Sequence, residues 1–227
     1  MLLLIALSIG GIIFDSSDDE SYVYAGQANT KIVKYSTDQG SNWFDASAGT
    51  EGQHTIVKCD STGQYVLAYY GSGNRGVHLS TDYGISYSAT LTNSVNGLAS
   101  MKRDGNLIVY CGEPFSNIYY SNNQGSSWST ITNPWGTVKP FFRNDFKNNE
   151  IYMYAIGESE IYKFNKDNDG LILVKDTGQS IQVCEPSQYG RGMAFSTVGG
   201  TELYYAKNYQ TFNKVYDGTL VTYIQVL

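Results

Sequence analysis

Histidine, cysteine, proline and charge are all scarce in this 227-residue chain, which has 2 His, 3 Cys, 4 Pro and only 16% charged residues. So few His and Cys leave little material for a zinc site, and an odd number of cysteines spells no disulfide framework. Cys59 and Cys184 fall at the same strand phase of different repeats and Cys111 lies in a second strand, so buried free thiols are expected. Basic residues number 15 against 21 acidic ones, a formal charge of −6, which excludes a nucleic-acid or anionic-membrane partner held by bulk charge. No stretch keeps a 3.6-residue apolar period, so helix is essentially absent, and with it any glycine-rich phosphate loop opening a helix. Apolar residues still make up 41%, too many for a solvated, disordered polymer. What abounds is tyrosine, at 20, and glycine, at 24. Tyrosine favours strands and glycine punctuates turns, which points to an all-β fold.

Three segments match one another: Ser36-Thr-Asp38-Gln-Gly40-Ser-Asn-Trp43, Ser80-Thr-Asp82-Tyr-Gly84-Ile-Ser-Tyr87 and Ser121-Asn-Asn123-Gln-Gly125-Ser-Ser-Trp128. Their starts lie 44 and 41 residues apart, and the same phase finds decayed copies at Asn165–Gly170 and Ala206–Gln210. Before each motif come three short runs with strand character, for example Leu98–Lys102, Asn106–Cys111 and Asn117–Tyr120, and a weaker run such as Ser129–Thr132 follows it. The repeat therefore reads as a four-stranded antiparallel meander of about 42 residues, the period of a β-propeller blade. Five such repeats predict five blades.

The motif has a local logic. The Asp or Asn at the head of a tight hairpin accepts backbone N–H groups, and the Gly adopts positive φ at no steric cost. The aromatic residue three further on is expected to pack between neighbouring sheets. A residue that recurs in every blade caps turns rather than catalysing.

These three copies resemble the Asp-box, or bacterial neuraminidase repeat. The resemblance implies a propeller in which the box is a structural turn away from the ligand face. Propellers of this kind include sialidases, xyloglucan-type endoglucanases, sortilin-like receptors and photosystem II assembly factors. A sialidase needs three converging arginines; this chain has four in all, of which only Arg75 falls on the expected ligand face, and the family's Phe-Arg-Ile-Pro signature is missing.

Residues 1–14, MLLLIALSIGGIIF, are apolar, yet too few to span a bilayer, which takes about 20. The chain divides into residues 1–10, a closing strand or a signal or anchor, and an Asp-box propeller over 11–227; membrane contact is expected only through residues 1–14. Residues 221–227 align with the first strand of a repeat. They either pair with residues 2–7 and close the ring or mark a piece of a six- or seven-bladed propeller.

In an up-and-down blade the motif turns share one end with Asp15, Asp60, Asp104, Asp145 and Glu185, which recur just after the inner strands. A cation-binding ring and turn capping are the two readings of these acids, the second favoured. Variable loops gather at the opposite end, where binding usually resides. The candidates there are Asn74, Arg75, Glu113, Phe115, Trp135 and Glu158. Phe115 and Trp135 suit stacking on a sugar or anchoring a protein, or else packing between blades. Glu113 and Glu158 occupy corresponding loops and form the one carboxylate pair to consider for glycoside hydrolysis. The expectation is a non-catalytic binding or structural module, with no cofactor or metal, that offers this loop face to a protein or glycan. The alternative is a glycoside hydrolase or a degenerate sialidase-like lectin. A Tyr-, Ser- and Asn-rich chain with few lysines suits an extracellular, cell-surface or virion setting.

Overall fold

The computed structural model describes residues 12–27, 33–47, 52–73, 76–92, 97–145, 147–165, 167, 169–187, 190, 192–209 and 211–218. The runs at 1–10 and 221–227 lie outside the described residues, as do Asn74, Arg75 and Arg191. The fold is all-β. The first sheet contains β1 (Ile12–Ser16), β2 (Val23–Gln27), β3 (Lys34–Ser36) and β4 (Phe44–Asp45). The second contains β5 (Gly52–Cys59), β6 (Val66–Gly73), β7 (Gly76–Ser80) and β8 (Ser88–Leu91). The third contains β9 (Leu98–Met101), β10 (Ile108–Cys111), β11 (Asn117–Ser121) and β12 (Ser129–Thr132). The fourth contains β13 (Pro140–Asp145), β14 (Glu150–Ala155), β15 (Glu160–Phe164) and β16 (Leu171–Asp176). The fifth contains β17 (Ile181–Pro186), β18 (Met193–Thr197), β19 (Glu202–Ala206) and β20 (Asn213–Asp217).

Each sheet runs in chain order with antiparallel neighbours, so these are the five four-stranded blades of a β-propeller. Among the described residues the only helix is the 3₁₀ turn Lys207–Tyr209, which stands where the last decayed motif was read. The chain falls into two compact units, one of residues 1–113 and 119–129, the other of residues 114–118 and 130–227.

Burial peaks in the second strands and falls towards the fourth. Second strands are buried on both faces, as along Ile108–Cys111 and Met193–Thr197. Fourth strands are mostly exposed, and β20 wholly so. A strand covered on both sides reads as a continuous apolar run, which the sequence shows at Val66–Tyr70 and Ile151–Ala155. Tyrosine supplies much of the core: Tyr24, Tyr69, Tyr70 and Tyr110 are fully buried. Each such ring contributes about 1.5–3 kcal/mol by leaving water.

The repeated motif forms the same turn three times. Ser36 Oγ accepts the Gly40 N–H at 2.9 Å and donates to Asp38 Oδ1 at 2.8 Å, which also accepts the Asn42 N–H at 2.8 Å. Ser80, Asp82, Gly84 and Ser86 repeat these bonds at 2.7–2.9 Å, as do Ser121, Asn123, Gly125 and Ser127 at 2.8–2.9 Å. Two consecutive residues take positive φ in each turn: Gln39 and Gly40, Tyr83 and Gly84, Gln124 and Gly125. That pair is the mark of a type I′ turn, closed at 3.1–3.3 Å by the Ser41, Ile85 and Ser126 N–H groups donating to Asp38, Asp82 and Asn123 O, inside the longer loop between third and fourth strands. The decayed copy at Asn165 keeps the bond from residue five to residue one, with the Asp169 N–H donated to Asn165 Oδ1 at 3.0 Å.

The motif aromatics do not share one fate. Tyr87 is buried beside Tyr24, Val33 and Val57, and Trp128 packs against the cluster around Tyr69 and Tyr110. Trp43 departs from the packing expected of it: it is 38% exposed and lies over its own turn, 3.7 Å from where a Gly40 Cβ would stand.

Candidate functional site

The unit of residues 114–118 and 130–227 carries loops that join second to third strands together with links between blades. Here they form a continuous hydrogen-bonded edge. Asn133 sits after β12 and organises its first part. Its Nδ2 donates to Phe115 O and Val138 O, both at 2.8 Å, and its N–H donates to Ser116 O at 3.0 Å. Phe115 is thereby held with φ at 64°, and the Lys139 ammonium lies 5.9 Å over its ring, a cation–π contact.

Trp135 is buried, at 9% exposure, which leaves it no free face for a sugar. Its Nε1–H donates to Glu160 Oε2 at 3.1 Å and its ring meets Tyr162 edge-on at 5.4 Å. Burial raises the Tyr162 phenol above its usual pKa. Beyond Glu160, Ser159 donates to Asp176 Oδ1 at 2.8 Å, and Thr177 donates its N–H to Ser159 O at 2.9 Å. The Gly178 N–H and the Ser159 hydroxyl hold the Asp176 carboxyl below the usual carboxylate range.

Glu158 is half-buried in the β14–β15 turn, where its backbone carbonyl accepts the Ile181 N–H at 2.8 Å. The next blade joins through the neighbouring residue, since the Val198 N–H donates to Ser180 O at 2.7 Å and the Gly157 N–H to Ile181 O at 2.9 Å. Glu113 is exposed in the β10–β11 loop and belongs to the other compact unit. Asn74 and Arg75 fall outside the described residues.

Three apolar residues went unread in the sequence. Ala155–Glu158 closes as a β-turn at 3.3 Å with Gly157 at φ 91°, and Thr197–Gly200 closes at 2.8 Å with Gly199 at φ 90°. Positive φ at the third position marks a type II turn, which aims its second residue outward. Those second residues are Ile156 and Val198, 42% and 49% exposed, and nothing lies within 4 Å of a Cβ built on either glycine. Exposed Pro114 precedes Phe115 at the same phase, so Pro114, Ile156 and Val198 stand 42 residues apart in turn. The blade period applied to loop tips rather than to strands would have found them.

The recurring acids after the inner strands are all engaged. Asp15 accepts the Cys59 N–H at 2.8 Å, Asp60 the Tyr65 N–H at 3.0 Å, Asp104 the Asn106 N–H at 2.9 Å and Asp145 the Asn148 N–H at 3.1 Å. Glu185 pairs with Arg143 Nε at 2.8 Å. Among the described residues no group of three or more His, Cys, Asp or Glu side chains is placed to hold a metal ion.

No protein-family model matches the chain. No curated protein sequence matches it. Solved structures do. YCF48 from Cyanidioschyzon merolae superposes with a TM-score of 0.59 at 13% identity over 86% of this chain and 66% of its own, and a YCF48 has also been solved bound to a D1 peptide. The GH74 enzyme from Niastella koreensis gives 0.69 at 14% identity over 91% of this chain but 38% of its own. A chain of the nidogen–laminin complex gives 0.63 at 11% identity over 92% of this chain and 80% of its own. The chain thus spans just under two thirds of YCF48 and well under half of the GH74 enzyme. These likenesses establish the β-propeller fold.

Proposed function

We propose that this chain is a non-catalytic Asp-box propeller module that docks a protein partner on the loop face of its second unit. One observation carries the reading: apolar turn tips, exposed and spaced by one blade, at Pro114, Ile156 and Val198. Apolar residues repeated on one set of loops mark an interaction surface more often than a scatter of single ones does. The surrounding charge leans acidic, with Glu158, Glu160 and Asp176 against Lys139 and Lys175, which favours a partner segment that is both apolar and basic. Two carboxylates near the tips are held by neighbouring loops: Asp176 accepts from Ser159 and Gly178, and Glu160 accepts from Trp135. That pattern supports binding over acid–base chemistry. The YCF48 bound to a D1 peptide and the nidogen–laminin complex lend support by fold alone. Richness in Tyr, Ser, Asn and Thr with few lysines supports an extracellular, cell-surface or virion setting.

A photo-crosslinking residue at position 156 or 198 tests the reading. Both positions should capture the same polypeptide, and the Ile156→Asp/Val198→Asp double variant should abolish its binding. The same yield from position 215, exposed on the outer strand β20, would refute it.

A further inference from the structure

A second feature of the same unit lies away from those loops, at the end that carries the motif turns. An open cleft of about 520 Å³ is lined by residues of two consecutive blades, among them Asn148, Glu150, Tyr152, Lys163, Ile172 and Tyr209. Its floor follows from register. Tyr152 on β14 pairs with Lys163 on β15, and Lys163 with Ile172 on β16, so the three side chains form one row across the fourth sheet. Glu150, two residues before Tyr152, shares that face. The walls come from Asn148 in the β13–β14 turn and from Tyr209 in the 3₁₀ turn before β20. Tyr209 has φ at 61°, an uncommon conformation for a bulky non-glycine residue.

The polar groups are fixed by one another. Tyr152 donates its hydroxyl to Glu150 Oε2 at 2.6 Å, and Lys163 pairs with Glu150 Oε1. Tyr209 donates to Asp145 Oδ2, which also accepts Asn148 Nδ2 at 2.8 Å. The two tyrosine rings stack at 5.3 Å and are parallel within 5°. Burial, then the hydrogen bond to a carboxylate, raises both phenols far above their usual pKa, so they remain protonated donors. Arg143, opposite Tyr152 on β13, is committed to Glu185 at 2.8 Å and lies over the Tyr154 ring.

The geometry points to a saccharide site: this cleft binds a short neutral oligosaccharide. A sugar offers vicinal hydroxyls, which both donate and accept, and an apolar C–H face. Glu150, Lys163 and Asn148 present acceptors, an ammonium and an amide side by side, while Tyr209 and half-exposed Ile172 offer the flat apolar contact. Of the lining residues only Glu150 and Lys163 are charged, and they pair with each other, while Asp145 lies buried behind Tyr209 and Asn148, so the lining offers no uncommitted cation. That balance disfavours phosphate, sulfate or a sialic-acid carboxylate. The volume suits a di- or trisaccharide.

Saturation-transfer NMR and titration with neutral cello-, xylo-, manno- and N-acetylchito-trisaccharides, alongside sialyllactose, test the site. At least one neutral trisaccharide should bind at millimolar concentration or tighter, and sialyllactose about tenfold more weakly or not at all. Ile172→Arg, a surface change that fills the cleft mouth, should weaken binding about tenfold or more without moving the melting temperature. Absence of binding by all four neutral sugars, equal binding of sialyllactose, or wild-type affinity in Ile172→Arg would overturn the proposal. The Ile156→Asp/Val198→Asp variant should bind sugar as wild type does, which separates this site from the loop face.

Discussion

Alanine at Gly84, set beside alanine at Gly40, separates the conformational from the packing role of one motif position. Both glycines occupy the same place in the same turn, with φ at +79° and +83°. An alanine held in that left-handed region costs about 1–2 kcal/mol, offset by about 0.4–1 kcal/mol from the stiffer unfolded chain. Gly40→Ala should therefore destabilise by about 1 kcal/mol, because its Cβ meets only the Trp43 ring, at 3.7 Å. At Gly84 the Cβ would stand 2.7 Å from Cε1 and 3.0 Å from Cδ1 of Tyr24. Tyr24 is fully buried and its hydroxyl is tied to Gly63 O at 2.6 Å, so it has little room to yield. Overpacking of this kind adds about 1–3 kcal/mol, for a total of about 2–4. At about 2–4 °C per kcal/mol in a chain of this size, Gly84→Ala should melt several degrees below Gly40→Ala. Urea titration and calorimetry read both values. Equal losses in the two variants would show that the turn conformation alone sets the requirement for glycine, and that blade packing onto Tyr24 does not.

Acid should weaken the motif turns. The Asn42 N–H and amide, then the Ser36 hydroxyl, hold the Asp38 carboxyl below the usual range. A depressed folded pKa stabilises above the unfolded value and loses that contribution as pH falls through the folded value, here below about pH 4. NMR titration should place Asp19, held by the Ser21 and Ser17 hydroxyls, at about 2, and Asp38→Asn should flatten the acid limb of the stability curve. Trp135→Phe, which removes the donor to Glu160, should cost about 1–2 kcal/mol by thermal melt. The three cysteines are free and buried, and burial raises the Cys59 and Cys184 thiols well above their usual pKa. A thiol reagent should therefore label none in the native protein at neutral pH and three after denaturation.

The blade count and strand order were legible because their causes are local. Each motif turn closes its bonds within five or so residues, from Ser36 to Asn42 or from Ser80 to Ser86, so the pattern survives as a string of residue types. The decayed turn at Asn165 could be read by phase for the same reason. The continuous apolar run at Ile151–Ala155 likewise announces a strand covered on both faces.

Burial was not legible where it depends on the neighbouring blade. Trp43 and Tyr87 hold the same motif position, yet one is exposed and the other buried, since only Tyr87 joins the cluster around Tyr24. Trp135, read as a ligand-face candidate, is committed to Glu160 and Tyr162. The cleft is further still from view. Tyr209 reaches Asp145 across 64 residues, and Lys163 meets Glu150 only through the register of β14 with β15. The sequence by itself determined the repeat, its turns and its strands, because hydrogen bonds inside a turn and the alternation along a strand are written in adjacent residues. The tertiary structure alone decided which faces are covered, which turn tips stand in solvent and which polar groups meet across two blades, because those depend on what packs against each sheet.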